Sequence, residues 1–212
     1  MAQHPSLKLT YFDLAGRAEL TRLALTIGDI PFEDDRVPRD QWPALKPTLP
    51  FRQMPVLTVD GQVITQSGAI ARYAGALAGL YPTATPLDAA RVDEILFFTD
   101  DILNVVIATF RIADEAARKA ERETLSTTKL PEMFGLLDAR LAANAKGTWY
   151  LDHLTLADLA IYLIVASVKS GWIDGIATTV ADAFPKVAAT YEAVHTHPKV
   201  AEWNAKHAPA QT

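Results

Sequence analysis

The chain has 212 residues, half of them apolar and 21% charged, with a formal net charge of −5 and a pI near 5.5. That length corresponds to one or two ordinary domains with ample apolar material for a packed core, and the acidic balance argues against nucleic-acid or anionic-membrane partners, which call for a basic face. There is no cysteine, which excludes a disulfide framework, thiolate zinc and Cys-x-x-Cys redox chemistry, so any sulfur chemistry must come from a bound ligand.

Residues 1–6 show no charged-then-apolar signal pattern, and the expected location is the cytoplasm. The first strand is expected over residues 7–11, closing on Tyr11. A loop from Phe12 to Glu19 then enters a helix with apolar positions Leu20, Leu23, Ala24 and Ile27. Arg17 stands close to that helix start, where the dipole disfavours a cation. It therefore calls for a partner, either Asp13 or Glu19 in an ion pair or an anionic ligand.

A second strand is expected over residues 32–37 and a third over residues 56–59. Pro55 can only open the third strand, because it lacks an N–H for the ladder, and this leaves the Met54 N–H and C=O free to pair with a ligand. Asp60-Gly61 between two alternating runs is a hairpin signal, with a fourth strand over residues 63–65. Gln66-Ser67 is expected to cap a helix with apolar positions Ile70, Tyr73, Ala74 and Leu77. The start of a helix suits a carboxylate, although Ser67 taken alone reads as an ordinary N-cap. Residues 53–73 together read as a site for a small, extended, acidic peptide.

Residues 81–87, with two prolines and no helical period, read as a linker, and everything after them reads as helix. Apolar stripes are expected at Ile95, Phe98, Ile102 and Val105, at Met133, Leu136, Leu137 and Leu141, and at Leu156, Leu159, Ala160 and Leu163. Residues 113–123, dense in Ala, Glu, Lys and Arg, read as the solvated end of a long helix. Thr155 followed by Asp158 fits a capping box, which gives that acid a folding role. The longest apolar stretch, residues 154–168, contains Asp158 and is too short to span a bilayer, so it reads as a core helix. The histidines form no metal constellation, since His195 and His197 diverge on a helix, and no metal is expected.

The strings TYFDLAGRAELTRL (residues 10–23), WPALKPTLPFRQMPVL (residues 42–57) and TQSGAIARY (residues 65–73), in this order and spacing, resemble the N-terminal half of cytosolic glutathione transferases of the sigma class. The resemblance implies an α/β plus all-α fold. A thioredoxin-like glutathione-binding domain would occupy residues 1–80, a linker residues 81–87, and an all-helical domain with the electrophile pocket residues 88–212. It further implies a cytosolic homodimer that takes glutathione and a small hydrophobic electrophile, with no nucleic acid and no membrane.

The same resemblance implies the site roles. The Tyr11 hydroxyl would donate to the glutathione sulfur, with Arg17 favouring the thiolate. Trp42 and Lys46 would hold the glycine end of glutathione, and Gln53, Met54 and a cis Pro55 its middle. Gln66 and Ser67 would hold the γ-glutamyl carboxylate, and Asp101 would reach the partner subunit's ligand. Phe12, Leu103 and Ala108 would line the electrophile pocket. A free thiol is only ~3% ionised at pH 7, and lowering its pKa by about two units raises the thiolate roughly 25-fold, so one hydrogen bond to sulfur does much of the chemistry.

Members of the class that isomerise prostaglandins carry an acid where Phe97 stands here and a large aromatic where Ala108 stands. The first difference removes a ligand of their divalent-cation site, and the second alters the electrophile wall. Glutathione conjugation is therefore the expected activity. The alternatives are a glutathione-dependent isomerase and a non-catalytic structural or ligand-carrying protein on the same fold.

Overall fold

The structure, a computed structural model, describes residues 4–144 and 147–207. In chain order the elements are β1 Leu7–Phe12, α1 Glu19–Ile27, β2 Glu33–Val37, the short α2 Trp42–Leu45, β3 Val56–Val59, β4 Gln62–Thr65, α3 Ser67–Leu77, α4 Pro86–Ala108, α5 Glu115–Thr127, α6 Lys129–Asn144, α7 Leu156–Lys169, α8 Pro185–His195 and α9 Pro198–His207. They form two compact units, Met1–Thr83 with Pro198–Thr212, and Ala84–His197.

The first unit is built on a mixed sheet of order β2-β1-β3-β4, in which β1 runs parallel to β2 and antiparallel to β3. β1 buries Leu7, Leu9 and Tyr11; α1 buries Leu23, Ala24 and Leu25, and α3 buries Ile70, Ala71 and Ala74. The edge strand β2 is almost wholly polar (EDDRV), which protects it from pairing with another chain. The hairpin between β3 and β4 turns on Asp60 at φ 46° and Gly61 at φ 83°, two consecutive left-handed residues, as the Asp-Gly signal requires.

Two details of this unit differ from the sequence reading. Ser67 does not cap α3 but is its first residue; Gln66 holds the flanking position at φ 70° and ψ 115°, and its side chain makes no cap bond. The physical reason is the tight exit from β4, which forces Gln66 into a left-handed conformation that sequence spacing does not reveal. The second detail concerns the last helix. α9 packs on α1 within the first unit, whereas the sequence grouped residues 88–212 together. Lys199 Nζ donates to the Ile27 carbonyl at 2.8 Å and pairs with Asp29 at 2.5 Å, and Val200 is fully buried.

The second unit is helical throughout its regular elements, with α7 at its centre. Leu156, Leu159, Ile161 and Val165 are fully buried there, and α7 packs against both α4 and α8. Its capping box is formed: the Thr155 N–H donates to Asp158 Oδ2 at 2.8 Å, and the Tyr150 N–H donates to Oδ1 at 2.8 Å. Residues 113–123 do not end a long helix. They open the separate helix α5, whose Asp114 accepts from the Ala117 N–H at 2.7 Å. Within the stripe on α6, Met133, Leu137 and Leu141 are buried but Leu136 is 57% exposed, because it falls one position off the inward face. Among the described residues no helix is long and apolar enough to cross a membrane.

Candidate active site

Tyr11 lies near the end of β1 and is 8% exposed, its ring edge-on to Phe12 at 5.6 Å. The chain then leaves the sheet and turns back at Gly16, whose φ is 48°. That turn brings the Arg17 N–H to within 3.3 Å of the Tyr11 oxygen, which accepts from it. Because the oxygen is the acceptor there, the Tyr11 O–H proton stays available for another acceptor, and accepting one bond strengthens the donor. The turn must be a glycine: a β-carbon at residue 16 would stand 2.8 Å from the Tyr11 hydroxyl and 2.6 Å from Leu14 Cδ1.

A cavity of about 580 Å³ opens beside this turn, a size ordinary for a small-molecule site. Its walls bring together Phe12, Arg17, Trp42, Lys46, Gln53, Met54, Pro55, Gln66 and Ser67, nine of the residues singled out from the sequence. Tyr11 is not itself on the wall, but two wall residues are its sequence neighbour Phe12 and its hydrogen-bond partner Arg17. Phe12 packs edge-on to Trp42 at 5.5 Å, and Lys46 Nζ lies 5.9 Å from the Trp42 ring. Of the carboxylates near Arg17 in sequence, Asp13 pairs with Arg36 at 2.9 Å and Glu19 pairs with Arg22 at 3.1 Å.

The polar equipment of the cavity suits an anionic peptide. The Met54–Pro55 bond is cis, and the Met54 N–H and C=O make no hydrogen bond among the described residues. α3 points its first turn at the cavity through Ser67, and with no side-chain cap from Gln66 its N–H groups remain for an anion. Gln66 is held in left-handed backbone, a strained state for a side-chain-bearing residue.

Three wall residues were not singled out from the sequence: Phe51, Arg52 and Thr65. Arg52 is exposed, sits at φ 52°, and has no ion-pair or hydrogen-bond partner for its guanidinium among the described residues. Successive turns, Leu49 N–H to the Lys46 carbonyl at 3.4 Å and Arg52 N–H to the Leu49 carbonyl at 3.1 Å, put it on the wall that carries Lys46. A cation beside the Gln-Met-Pro segment was the available signal.

The other expected residues lie on α4, in the helical unit. Asp101 and Ala108 are exposed and Leu103 is half-buried; Phe97, the residue marking a departure from the isomerising type, is 55% exposed. Among the described residues no group of three or more His, Asp or Glu side chains is placed to hold a metal ion.

Comparison with known proteins bears directly on this site. Residues 7–75 match the family model of the glutathione S-transferase N-terminal domain, and residues 100–207 match that of the C-terminal domain. The chain belongs to the glutathione S-transferase family. Members of the family are enzymes with glutathione as co-substrate. Glutathione S-transferase 1 of Ascaris suum is 37% identical over 78% of this chain and 82% of its own length. The hematopoietic prostaglandin D synthase of Gallus gallus is 33% identical over 94% of this chain and 95% of its own. The solved structure of prostaglandin synthase D of Nilaparvata lugens is 33% identical, covers 97% of this chain and 100% of that one, and superposes with a TM-score of 0.85. The cavity beside Tyr11 is in the part of the chain that matches the transferase N-terminal model.

Proposed function

We propose that this transferase conjugates glutathione, as a thiolate stabilised by the Tyr11 hydroxyl, to hydrophobic electrophiles. The observation that carries the reading is the uncommitted Tyr11 proton next to a cavity with a peptide-pairing backbone and cations on its wall. The tripeptide would lie extended along Met54, adding a strand-like pair of hydrogen bonds. Its γ-glutamyl carboxylate would take the N-terminus of α3 with Gln66 and Ser67, and its glycine carboxylate would take the wall of Trp42, Lys46 and Arg52, with Gln53 between. The cysteinyl sulfur then falls to Tyr11, with Arg17 adding positive potential. Deprotonation releases one proton, and the sulfur lone pair forms the new C–S bond as the electrophile's leaving group departs or its double bond accepts the electron pair. The protein's contribution is stabilisation of the anion together with proximity.

The family resemblance assigns Phe12, Leu103 and Ala108 to the electrophile and Asp101 to the ligand of a partner subunit. On that basis the chain acts as a sigma-type homodimer in the cytoplasm, its first unit supplying the glutathione site and its helical unit the electrophile wall.

Relatives named prostaglandin D synthase make glutathione-dependent isomerisation the second reading. Conjugation is favoured because Phe97 and Ala108 replace the acid and the large aromatic of the isomerising type. Product analysis separates the two: incubation with glutathione and an aryl halide or an endoperoxide is followed by mass spectrometry. A glutathione adduct of the aryl halide is expected. Rearranged endoperoxide with all thiol recovered, and no adduct, would contradict the reading.

A further inference from the structure

Arg22 heads the largest fully buried side chains among the described residues, and none of the roles above uses it. Its guanidinium employs all three nitrogens. Nε donates to Asp34 Oδ1 at 2.9 Å, and Nη1 donates to the Leu14 carbonyl at 2.7 Å, the Ala15 carbonyl at 3.3 Å and Glu19 Oε2 at 3.1 Å. Nη2 donates to the Phe12 carbonyl at 3.4 Å. All three carbonyls belong to the loop that joins Tyr11 to Arg17, and Cζ lies 5.9 Å from the centre of the Tyr11 ring. A planar fork of five N–H donors is the side chain that can gather so many oxygens at once.

The two carboxylates that neutralise Arg22 are themselves held from outside. Asp34 takes Arg36 Nε on its other oxygen at 2.8 Å, and Arg36 also ties Asp13 at 2.9 Å. Glu19 takes the Trp203 indole N–H on Oε1 at 2.6 Å. Trp203 stacks on Phe32 at 6.4 Å and sits on α9, which Lys199 anchors to the end of α1. Hydrogen bonds thus connect the last helix to the thiol site through Trp203, Glu19, Arg22, the carbonyls of residues 12–15, and the turn whose Arg17 N–H meets the Tyr11 oxygen.

We propose that Arg22 is a positioning residue for the Tyr11 hydroxyl, and that Trp203 of α9 holds Glu19, and through it this guanidinium, in place. The inference rests on the reading of Tyr11 as thiol activator. A buried guanidinium cannot remain unpaired, so release of Glu19 lets Arg22 re-pair and frees the carbonyls of the loop. The hydroxyl then meets the sulfur off-line, and a hydrogen bond weakens steeply with angle and distance.

The test is the titration of enzyme-bound glutathione, followed by the ultraviolet absorbance of its thiolate, in wild type, Trp203→Phe and Glu19→Gln. Thermal unfolding of each is measured alongside. Trp203→Phe retains a ring against Phe32 and removes the N–H along with part of the indole volume; Glu19→Gln retains an acceptor for Trp203 and removes the charge facing Arg22. In each variant that remains folded at the assay temperature, the thiol midpoint should rise by about half a pH unit or more, leaving roughly three-fold less thiolate below the midpoint. A merely structural strut would lower the unfolding temperature and leave the midpoint alone, and a folded variant with the wild-type midpoint overturns the proposal. Should the wild type itself bind glutathione with an unshifted thiol, the reading of Tyr11 fails first.

Discussion

At the scale of single residues, the geometry around Tyr11 leaves little freedom. A methyl group added at residue 16 would press on the Tyr11 hydroxyl from 2.8 Å, and it would do so in a backbone conformation, φ 48°, that favours glycine. Gly16→Ala should cost about 1–2 kcal/mol of stability and lower turnover about ten-fold or more, because a small misplacement of a reacting group is expensive in rate. Steady-state conjugation normalised to folded protein checks this, and unchanged turnover would mean that the hydroxyl is not the activator. Arg52 presents the opposite balance. It is a left-handed cation on the cavity wall whose guanidinium has no partner among the described residues. Arg52→Gly should therefore keep or raise the thermal midpoint while weakening glutathione binding about three- to five-fold, the scale of one exposed charge pair. Calorimetric titration with glutathione reads the second effect.

Tyr11, Arg17, Met54 and Gln53 could be picked from the sequence because each belongs to a string whose order is distinctive. Arg52 could not. Its role depends on two consecutive turns and a positive φ, neither of which a residue type announces.

At the scale of elements, the capping box of α7 is the point where sequence and packing agree most closely. Asp158 is fully buried and accepts from the Tyr150 and Thr155 N–H groups and from the Thr155 hydroxyl at 3.0 Å. Burial pushes its carboxyl above the ordinary range, and these hydrogen bonds pull it partly back. Asp158→Ala should lower unfolding free energy by about 3 kcal/mol through the lost cap and the stranded N–H groups, with little change in activity per folded molecule. A carboxyl raised in the fold binds its proton more tightly there than in the unfolded chain. Its titration thus favours the fold below about pH 4, and that contribution is lost as pH rises through the folded value. The gap between wild type and variant should accordingly narrow from pH 4 toward neutrality in urea unfolding, and a gap that widens would contradict the direction of the shift.

The box was legible because Thr-x-x-Asp before an apolar run is a local signal. The start of α3 was not. Its first residue is decided by the exit from β4, which turns Gln66 left-handed and leaves Ser67 inside the helix. The break between α4 and α5 was missed for a related reason: the sequence between them has the composition of helix, and the interruption at residues 109–114 comes from a tight turn followed by the Asp114 cap.

For the whole molecule, periodicity and the position of the linker prolines were enough to separate an α/β part from a helical part. They could not reveal that the last helix belongs with the first unit. α9 earns that place through Trp203 and Lys199, whose hydrogen bonds reach residues about 170 positions earlier or more in the chain, and through the buried Val200; separations of that kind leave no local pattern. The cavity proposed for glutathione has its wall in the first unit, where Trp203 of α9 bonds the Glu19 that pairs with Arg22 behind the loop after Tyr11. The proposed function depends on the Tyr11 hydroxyl making the thiolate. The most direct test compares wild type with Tyr11→Phe in conjugation of glutathione to an aryl halide, with glutathione binding measured for both. Binding retained within about two-fold and turnover reduced about ten-fold or more is the predicted result; equal turnover by the two proteins would contradict the account.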